Sequence, residues 1–301
     1  MDTVPPARLK SRPREMKRDL DRLKMIAREA AIAALATASG AWTAHRAGFA
    51  LVAYIPNVAA IPLGTAALCW PAVITRIVRK YWVVAIAALM ILTFFTPGMA
   101  SVHRWIALGP IRLNVSSAVV PAILFLIWDQ PGRASLLLAV FTASIYVLQP
   151  DAGQASAFAV SACPLITRAH PIKKAYRWAA VLAIAGLAAA AWFRPDPLAP
   201  VPYVELVFQL AMSGGLASLF AVLVCAASLC IPFATNSPAE RKRLAFAFLA
   251  YFICCFAVTQ LGNFPVPVLG AGAGPVLGWF LALVLLSEPA RNCWAIVNSD
   301  Y

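Results

Sequence analysis

The sequence predicts an all-α polytopic membrane protein of about ten transmembrane helices. Of its 301 residues, 62% are hydrophobic and only 12% are charged, whereas a soluble domain carries roughly 25% charged residues. Apolar runs recur along the whole chain, separated by short gaps rich in Arg, Lys, Pro or Gly. Few stretches alternate with period two, so we expect membrane-spanning helices and not a transmembrane barrel.

Each long apolar run predicts one span, because about 20 apolar residues cross a bilayer as a helix. The spans are residues 26–44, 47–74, 81–98, 115–130, 133–149, 153–167, 177–193, 203–230, 244–262 and 265–286. The transmembrane domain therefore covers residues 26–286, between a basic N-terminal tail, 1–25, and a C-terminal tail, 287–301. Prolines inside several spans predict irregular helices whose freed backbone groups are satisfied by neighbours.

The positions of the basic residues predict the orientation of these spans. With a cytoplasmic N-terminus, all but four of the 25 Lys and Arg residues fall on the cytoplasmic side. The four outer ones are Arg46, Arg104, Arg112 and Arg194. Such a bias follows the positive-inside rule. Both chain ends are therefore predicted to be cytoplasmic, and the chemistry is expected on the outer face.

The net charge of +13 does not indicate nucleic-acid binding, because the basic residues lie in the gaps between apolar runs. The lipid bilayer is the expected partner of such a surface. The seven cysteines are odd in number and lack ligand-like spacing. They predict neither a disulfide framework nor a zinc site.

Three acids face outward on this map: Asp151, Asp196 and Glu205. Asp151 is expected to pair with Arg104 or Arg112 and so to fix one loop against another. Asp196 has the character of an ordinary loop residue. Glu205 opens the eighth span and has two interpretations, a general base or an acid stabilised by the first turn of its helix.

The outer segments resemble the SEDS family (shape, elongation, division and sporulation), which includes RodA and FtsW. The matching motifs are Arg104-Trp105-Ile106, Leu108-Gly109 and Gln149-Pro150-Asp151-Ala152-Gly153. Their order, spacing and predicted side of the membrane also agree, and the resemblance covers about residues 50–286. It implies a bacterial cytoplasmic (inner) membrane protein of cell-wall synthesis, acting in cell shape or division.

The chain also departs from the family pattern. A Gln-Pro-Ser-Glu motif of the family reads Asn114-Val115-Ser116-Ser117 here. The late Pro-x-Pro-Phe-x-Ser-Tyr-Gly-Gly turn keeps Pro265, Pro267 and Gly272 but lacks the Ser-Tyr pair. The long outer loop of the family is reduced to about Arg194–Pro202.

The resemblance implies roles for individual residues. SEDS proteins polymerise lipid II with an essential aspartate, and Glu205-Leu206-Val207-Phe208 matches the segment that carries it. Glu205 is thus the expected catalytic base. The expected substrate-binding residues are Arg104, Arg112, Asn114 and Ser116, with the arginines on a pyrophosphate. The expected structural loop residues are Gln149, Asp151, Gly153, Pro265, Pro267 and Gly272.

Three functions stay open on the sequence. The chain could polymerise lipid II or another lipid-linked sugar. It could instead be a catalytically degenerate SEDS-like subunit that binds a partner such as a single-span transpeptidase. A transporter of a lipid-linked substrate ranks third. The cofactor is undetermined: a divalent cation is left open, although no protein metal site is visible.

Overall fold

The computed structural model of the chain describes residues 12–100, 102–109, 111–235 and 238–287, and every structural statement below concerns these residues. The first 11 residues of the predicted N-terminal tail and the predicted C-terminal tail from residue 288 lie outside them. The described chain forms twelve α-helices and one β-hairpin.

The α-helices are α1 (Arg12–Arg46), α2 (Ile55–Cys69), α3 (Pro71–Leu92), α4 (Val115–Asp129), α5 (Arg133–Leu148), α6 (Ala152–Thr167), α7 (Lys174–Trp192), α8 (Pro202–Glu205), α9 (Val207–Ser213), α10 (Leu216–Thr235), α11 (Lys242–Val258) and α12 (Ala273–Ser287). Short 3₁₀ turns occupy Leu51–Tyr54, Thr93–Phe95 and Ala239–Arg241. The strands β1 (Trp105–Leu108) and β2 (Ile111–Asn114) pair antiparallel.

Four helical segments of the described chain are long and apolar enough to cross a membrane. They are Leu51–Cys69, Pro71–Phe95, Lys174–Trp192 and Leu216–Thr235. The helices α4, α5 and α12 are shorter but also apolar. This architecture confirms the predicted all-α polytopic membrane class.

Two central helices, α4 and α12, form the core of the bundle. Nearly every side chain of α4 is buried, and in α12 Trp279 and Val284 are fully buried. A Cβ at Gly278 would collide with the backbone of Ser117, so the two helices are in close contact. The surrounding helices α3 and α10 leave apolar side chains such as Val84 and Phe220 exposed, as expected for a surface that faces lipid.

The boundary between the second and third predicted spans is wrong. We expected a span to residue 74 and a basic gap before residue 81, but the helix break lies at Trp70. Pro71 begins α3, because a proline needs no hydrogen-bond acceptor for its nitrogen in the first turn. The basic residues Arg76, Arg79 and Lys80 are consequently part of a helix.

Three other boundaries differ. The eighth predicted span, 203–230, is divided into α8, α9 and α10, with Gly215 in the left-handed region at φ +102°. The last span begins at Ala273 and not at residue 265. At the other end, α1 begins at Arg12, so part of the predicted tail is continuous with the first helix.

Candidate functional site

Four connecting segments meet at one end of the bundle. They are the β-hairpin, the turn between α5 and α6, the chain from residue 194 through α8, and the loop of residues 259–272. The sequence-predicted site residues lie in or beside these segments. We call this group of segments the loop cluster.

Arg104 lies at the centre of the loop cluster, with its side chain only 3% exposed. Its Nε donates a hydrogen bond to the carbonyl oxygen of Gln149 at 3.0 Å, and its Nη2 donates to the carbonyl oxygen of Pro150. Nη2 also lies 2.7 Å from Asp196 Oδ2, and Nε lies 3.7 Å from Asp151 Oδ2. Arg104 thus joins three of the four segments.

The expected ion pair between Asp151 and Arg104 is present, while Arg112 is not its partner. Asp151 also caps α6, because its Oδ1 accepts a hydrogen bond from the Gln154 N–H at 3.0 Å. Burial raises the pKa of Asp151, and the positive charge of Arg104 opposes that rise. The carboxylate therefore anchors both a helix end and the arginine.

The interpretation of Asp196 as an ordinary loop residue is wrong. Its Oδ2 forms the 2.7 Å ion pair with Arg104, and its Oδ1 accepts a hydrogen bond from the Leu198 N–H at 3.1 Å. The sequence shows only an acid between two prolines, and nothing in that pattern identifies an arginine 92 residues away as its partner.

Glu205, the predicted base, ends the short helix α8 and precedes the candidate span Leu216–Thr235. It is buried, with 7% of its surface exposed. Its Oε2 accepts a hydrogen bond from the Val201 N–H at 3.0 Å. Burial raises the pKa of Glu205 to about 7, and the charge of Arg104 opposes the rise while those of Asp196 and Asp151 add to it. Glu205 therefore lies within electrostatic range of Arg104, Asp151 and Asp196, which we call the Arg104 cluster.

The loop of residues 259–272 holds α8 through backbone hydrogen bonds. The Val266 N–H donates to the carbonyl oxygen of Val204 at 2.9 Å, and the Ala271 N–H donates to that of Tyr203 at 3.0 Å. A Cβ at Gly270 would collide with the Val204 carbonyl, so a side chain cannot fit there. This loop therefore determines the position of Glu205.

Asn57 of α2 binds the same loop from the other side. Its Nδ2 donates hydrogen bonds to the carbonyl oxygens of Val268 at 3.0 Å and Gly270 at 2.9 Å. Its Oδ1 accepts a hydrogen bond from the Gly272 N–H at 2.6 Å. Sequence reasoning missed Asn57, although a buried polar residue in an apolar run was a signal that could have indicated it.

The other predicted structural residues also lie in this region. Gly153 packs directly on Phe264, since a Cβ there would collide with the phenyl ring. Pro265 and Pro267 line a small cavity of about 10 Å³ together with Gln154 and Tyr251, enough for roughly one water molecule.

Gln149 joins the loop cluster to the helix core. Its Nε2 donates a hydrogen bond to Thr93 Oγ1 at 2.8 Å, and its Oε1 accepts one from Ser116 Oγ at 3.4 Å. Asn114 caps α4 by accepting a hydrogen bond from the Ser117 N–H at 3.0 Å, while its buried Nδ2 has no partner in the described chain. These contacts make Asn114 and Ser116 part of the support for the loop cluster.

The two arginines predicted to bind substrate have different environments. Arg104 is buried between two carboxylates, whereas Arg112 lies on β2 and is exposed. Arg104 is therefore paired with Asp151 and Asp196, and its expected contact with a pyrophosphate stays a prediction. Among the described residues, no group of three or more His, Cys, Asp or Glu side chains is placed to hold a metal ion.

An apolar groove of about 730 Å³ lies on the side of the bundle, between α9, α10 and α11. Phe208 and Gln209 of α9 line its end nearest to α8. Leu223, Ile231 and Ile253 line the rest of it. Its apolar walls are typical of a surface that contacts lipid chains or another membrane helix.

The fold defines an all-α polytopic membrane protein. Two solved structures share the fold, both of Rod shape determining protein RodA from Thermus thermophilus. The structure of an aspartate-to-alanine variant matches this chain with a TM-score of 0.61 and 17% sequence identity. The match covers 85% of this chain and 93% of the RodA chain. A second structure has a TM-score of 0.60 and 16% identity at the same coverage. No protein-family model and no curated protein matches the chain. The likeness supports the fold that the motifs predicted.

Proposed function

We propose that this chain is a SEDS-like membrane protein of cell-wall synthesis that polymerises lipid II or another lipid-linked sugar. The observation that carries the proposal is the burial of Glu205 beside the Arg104 cluster, at the end of a RodA-like bundle. In this proposal the chain lies in the bacterial cytoplasmic membrane with both ends inside. The loop cluster then faces outward.

Glu205 acts as a general base in the proposed reaction. It takes the proton from the attacking sugar hydroxyl while that oxygen bonds to the anomeric carbon of a second sugar. The bond from that carbon to the lipid pyrophosphate breaks, and the pyrophosphate leaves with the electron pair. A pKa of about 7 for Glu205 suits this role, because a base works best with a pKa near the working pH.

The remaining residues divide into anchoring and binding groups. Arg104, Asp151 and Asp196 hold the loops in place, as their mutual contacts support. The exposed Arg112 on the hairpin binds the pyrophosphate, since a guanidinium recognises phosphate oxygens in a bidentate manner.

Complementation of a bacterial strain depleted of its own SEDS polymerase tests this function. We expect the wild-type chain to restore growth and Glu205→Gln to fail at equal membrane abundance. Growth restored equally by Glu205→Gln would contradict the role of Glu205. Failure of both, with normal abundance, would contradict the enzymatic proposal.

A second function, a non-enzymatic subunit, is favoured by two observations. The Glu205 carboxylate already accepts a hydrogen bond from the Val201 N–H, as a purely structural acid would. The apolar groove between α9, α10 and α11 also fits the membrane helix of a single-span partner such as a transpeptidase. Co-purification of such a partner, without turnover of lipid II by the complex, would favour this alternative.

A further inference from the structure

A second cleft lies at the end of the bundle opposite to the loop cluster. It opens between the end of α6 and the beginning of α11 and has a volume of about 290 Å³. Pro164, Leu165 and Thr167 of α6 form one side, and Phe246 and Ala247 of α11 form the other. The cleft lies at the end of α6, Thr167, and at the start of α11, Lys242. The predicted spans 153–167 and 244–262 place this end of both helices at the membrane interface, where lipid headgroups begin.

Three cations surround this cleft: Arg168, Lys242 and Arg243. They come from two different elements, and all three are exposed. Within the described chain, none of the three forms an ion pair or a side-chain hydrogen bond. Among the residues that the structure describes, no acid lines the cleft, although Glu240 lies two residues before Lys242. The mouth of the cleft is therefore strongly positive.

The walls of the cleft differ from its mouth. Leu165 and Ala247 are buried, and the ring of Phe246 is 60% exposed at the edge. The partial positive charge at the N-terminus of α11 also favours an anion. The C-terminus of α6 carries a partial negative charge, which the positive charge of Arg168 offsets. A ligand that fits both features carries a phosphate at one end and apolar chains at the other.

We propose that this cleft binds the headgroup of an anionic phospholipid, with the phosphate between Arg168, Lys242 and Arg243 and the acyl chains along Phe246. Basic clefts between membrane helices at the interface recognise such headgroups. The charge bias of the sequence assigns this face to the cytoplasmic leaflet. The proposal does not depend on the reaction at Glu205, because the two sites lie at opposite ends of α6 and α11.

Native mass spectrometry of the full chain in detergent tests the proposal directly. Phosphatidylglycerol and phosphatidylcholine with identical acyl chains are titrated onto the protein. The first test variant replaces all three cleft cations with glutamine, and the second carries only Lys242→Gln and Arg243→Gln. The matched control removes three exposed cations elsewhere on the same face, with Arg76→Gln, Lys80→Gln and Arg133→Gln.

We expect at least a tenfold preference of the wild-type protein for phosphatidylglycerol, since each interfacial cation contributes about fivefold. The triple cleft variant should lose this preference, the double variant should lose most of it, and the control should keep it within twofold.

Equal affinity of the wild type for both lipids would overturn the proposal. An equal loss of lipid preference in the control variant would also overturn the proposal, because the preference would then depend on the net charge of the protein and not on the cleft. The ionic strength of 10 mM inorganic phosphate is well below the physiological value of about 0.15 M. Full competition by this concentration would point to a site for free phosphate and would also overturn the proposal.

Discussion

Arg104 Nη2 lies 2.7 Å from Asp196 Oδ2, an ion pair that joins the residue just before β1 to the connection between α7 and α8. The same guanidinium contacts Asp151 in the turn between α5 and α6. One arginine thereby ties together segments that are 92 residues apart in the sequence. The loop cluster is therefore expected to depend on this side chain for its stability.

Arg104→Ala should destabilise the protein strongly. The substitution leaves Asp151, whose side chain is 1% exposed, as a buried carboxylate without its cation. Breaking a buried pair in this way costs about 3–5 kcal/mol. Thermal unfolding in detergent measures the loss. Arg112→Ala is the matched control, because Arg112 lies on the hairpin that Arg104 directly precedes but is exposed. Equal stability of the two variants would contradict the anchoring role.

Asn57→Ala should loosen the loop that holds α8. The variant loses both donors to the carbonyls of Val268 and Gly270 and the acceptor for the Gly272 N–H. Each buried group left unpaired costs about 1–3 kcal/mol. Hydrogen exchange should then accelerate across residues 266–272. Thr65→Ala on the same helix, whose hydroxyl donates a hydrogen bond to the carbonyl oxygen of Ile61 within α2, should leave that exchange unchanged.

The effects of Gly153→Ala and Phe264→Ala on the free energy of unfolding should be non-additive. An added Cβ at Gly153 collides with the Phe264 ring, so the alanine alone displaces the ring and lowers stability. In a Phe264→Ala background the ring is absent, and the same change should cost much less. A double-mutant cycle of unfolding free energies measures the coupling, expected at roughly 0.5–3 kcal/mol. Additive effects would contradict the packing of these two segments.

The proposed reaction should depend on pH through Glu205. Burial raises its pKa from the ordinary value of 4.5 to about 7, and a general base acts only when it is ionised. The value of kcat/KM should therefore be low at pH values below about 7 and rise as the pH increases through about 7. A profile that stays flat down to about pH 5 would indicate a base with an unperturbed pKa.

Much of the helix pattern could be predicted from hydropathy and charge. The predicted spans 115–130, 133–149 and 153–167 agree with α4, α5 and α6 within about two residues. Each of these runs is bounded by Asn, Gln, Gly, Arg or Asp residues that interrupt the apolar sequence. Hydropathy fails at Trp70–Pro71, because both sides of that break are equally apolar.

The rest depends on contacts between distant segments. Residues 265–272 were expected to be helical because they are apolar, but many of their backbone groups bond to Tyr203, Val204 and Asn57 instead of forming a helical ladder. A sequence shows apolarity but not which partner a backbone group has. The motifs could identify Arg104, Asp151 and Glu205 as belonging to one region. They could not show that Asp196 completes the cluster.

Polymerisation of purified lipid II by the purified protein tests the central claim most directly. Wild type, Glu205→Gln and the matched control Glu240→Gln, an exposed acid outside the loop cluster, are compared at equal concentration and equal thermal stability. The account predicts glycan strands from wild type and control, and a rate at least about a hundredfold lower for Glu205→Gln, the usual contribution of a general base. A wild-type rate in Glu205→Gln, or no strands from the wild-type protein itself, would contradict it.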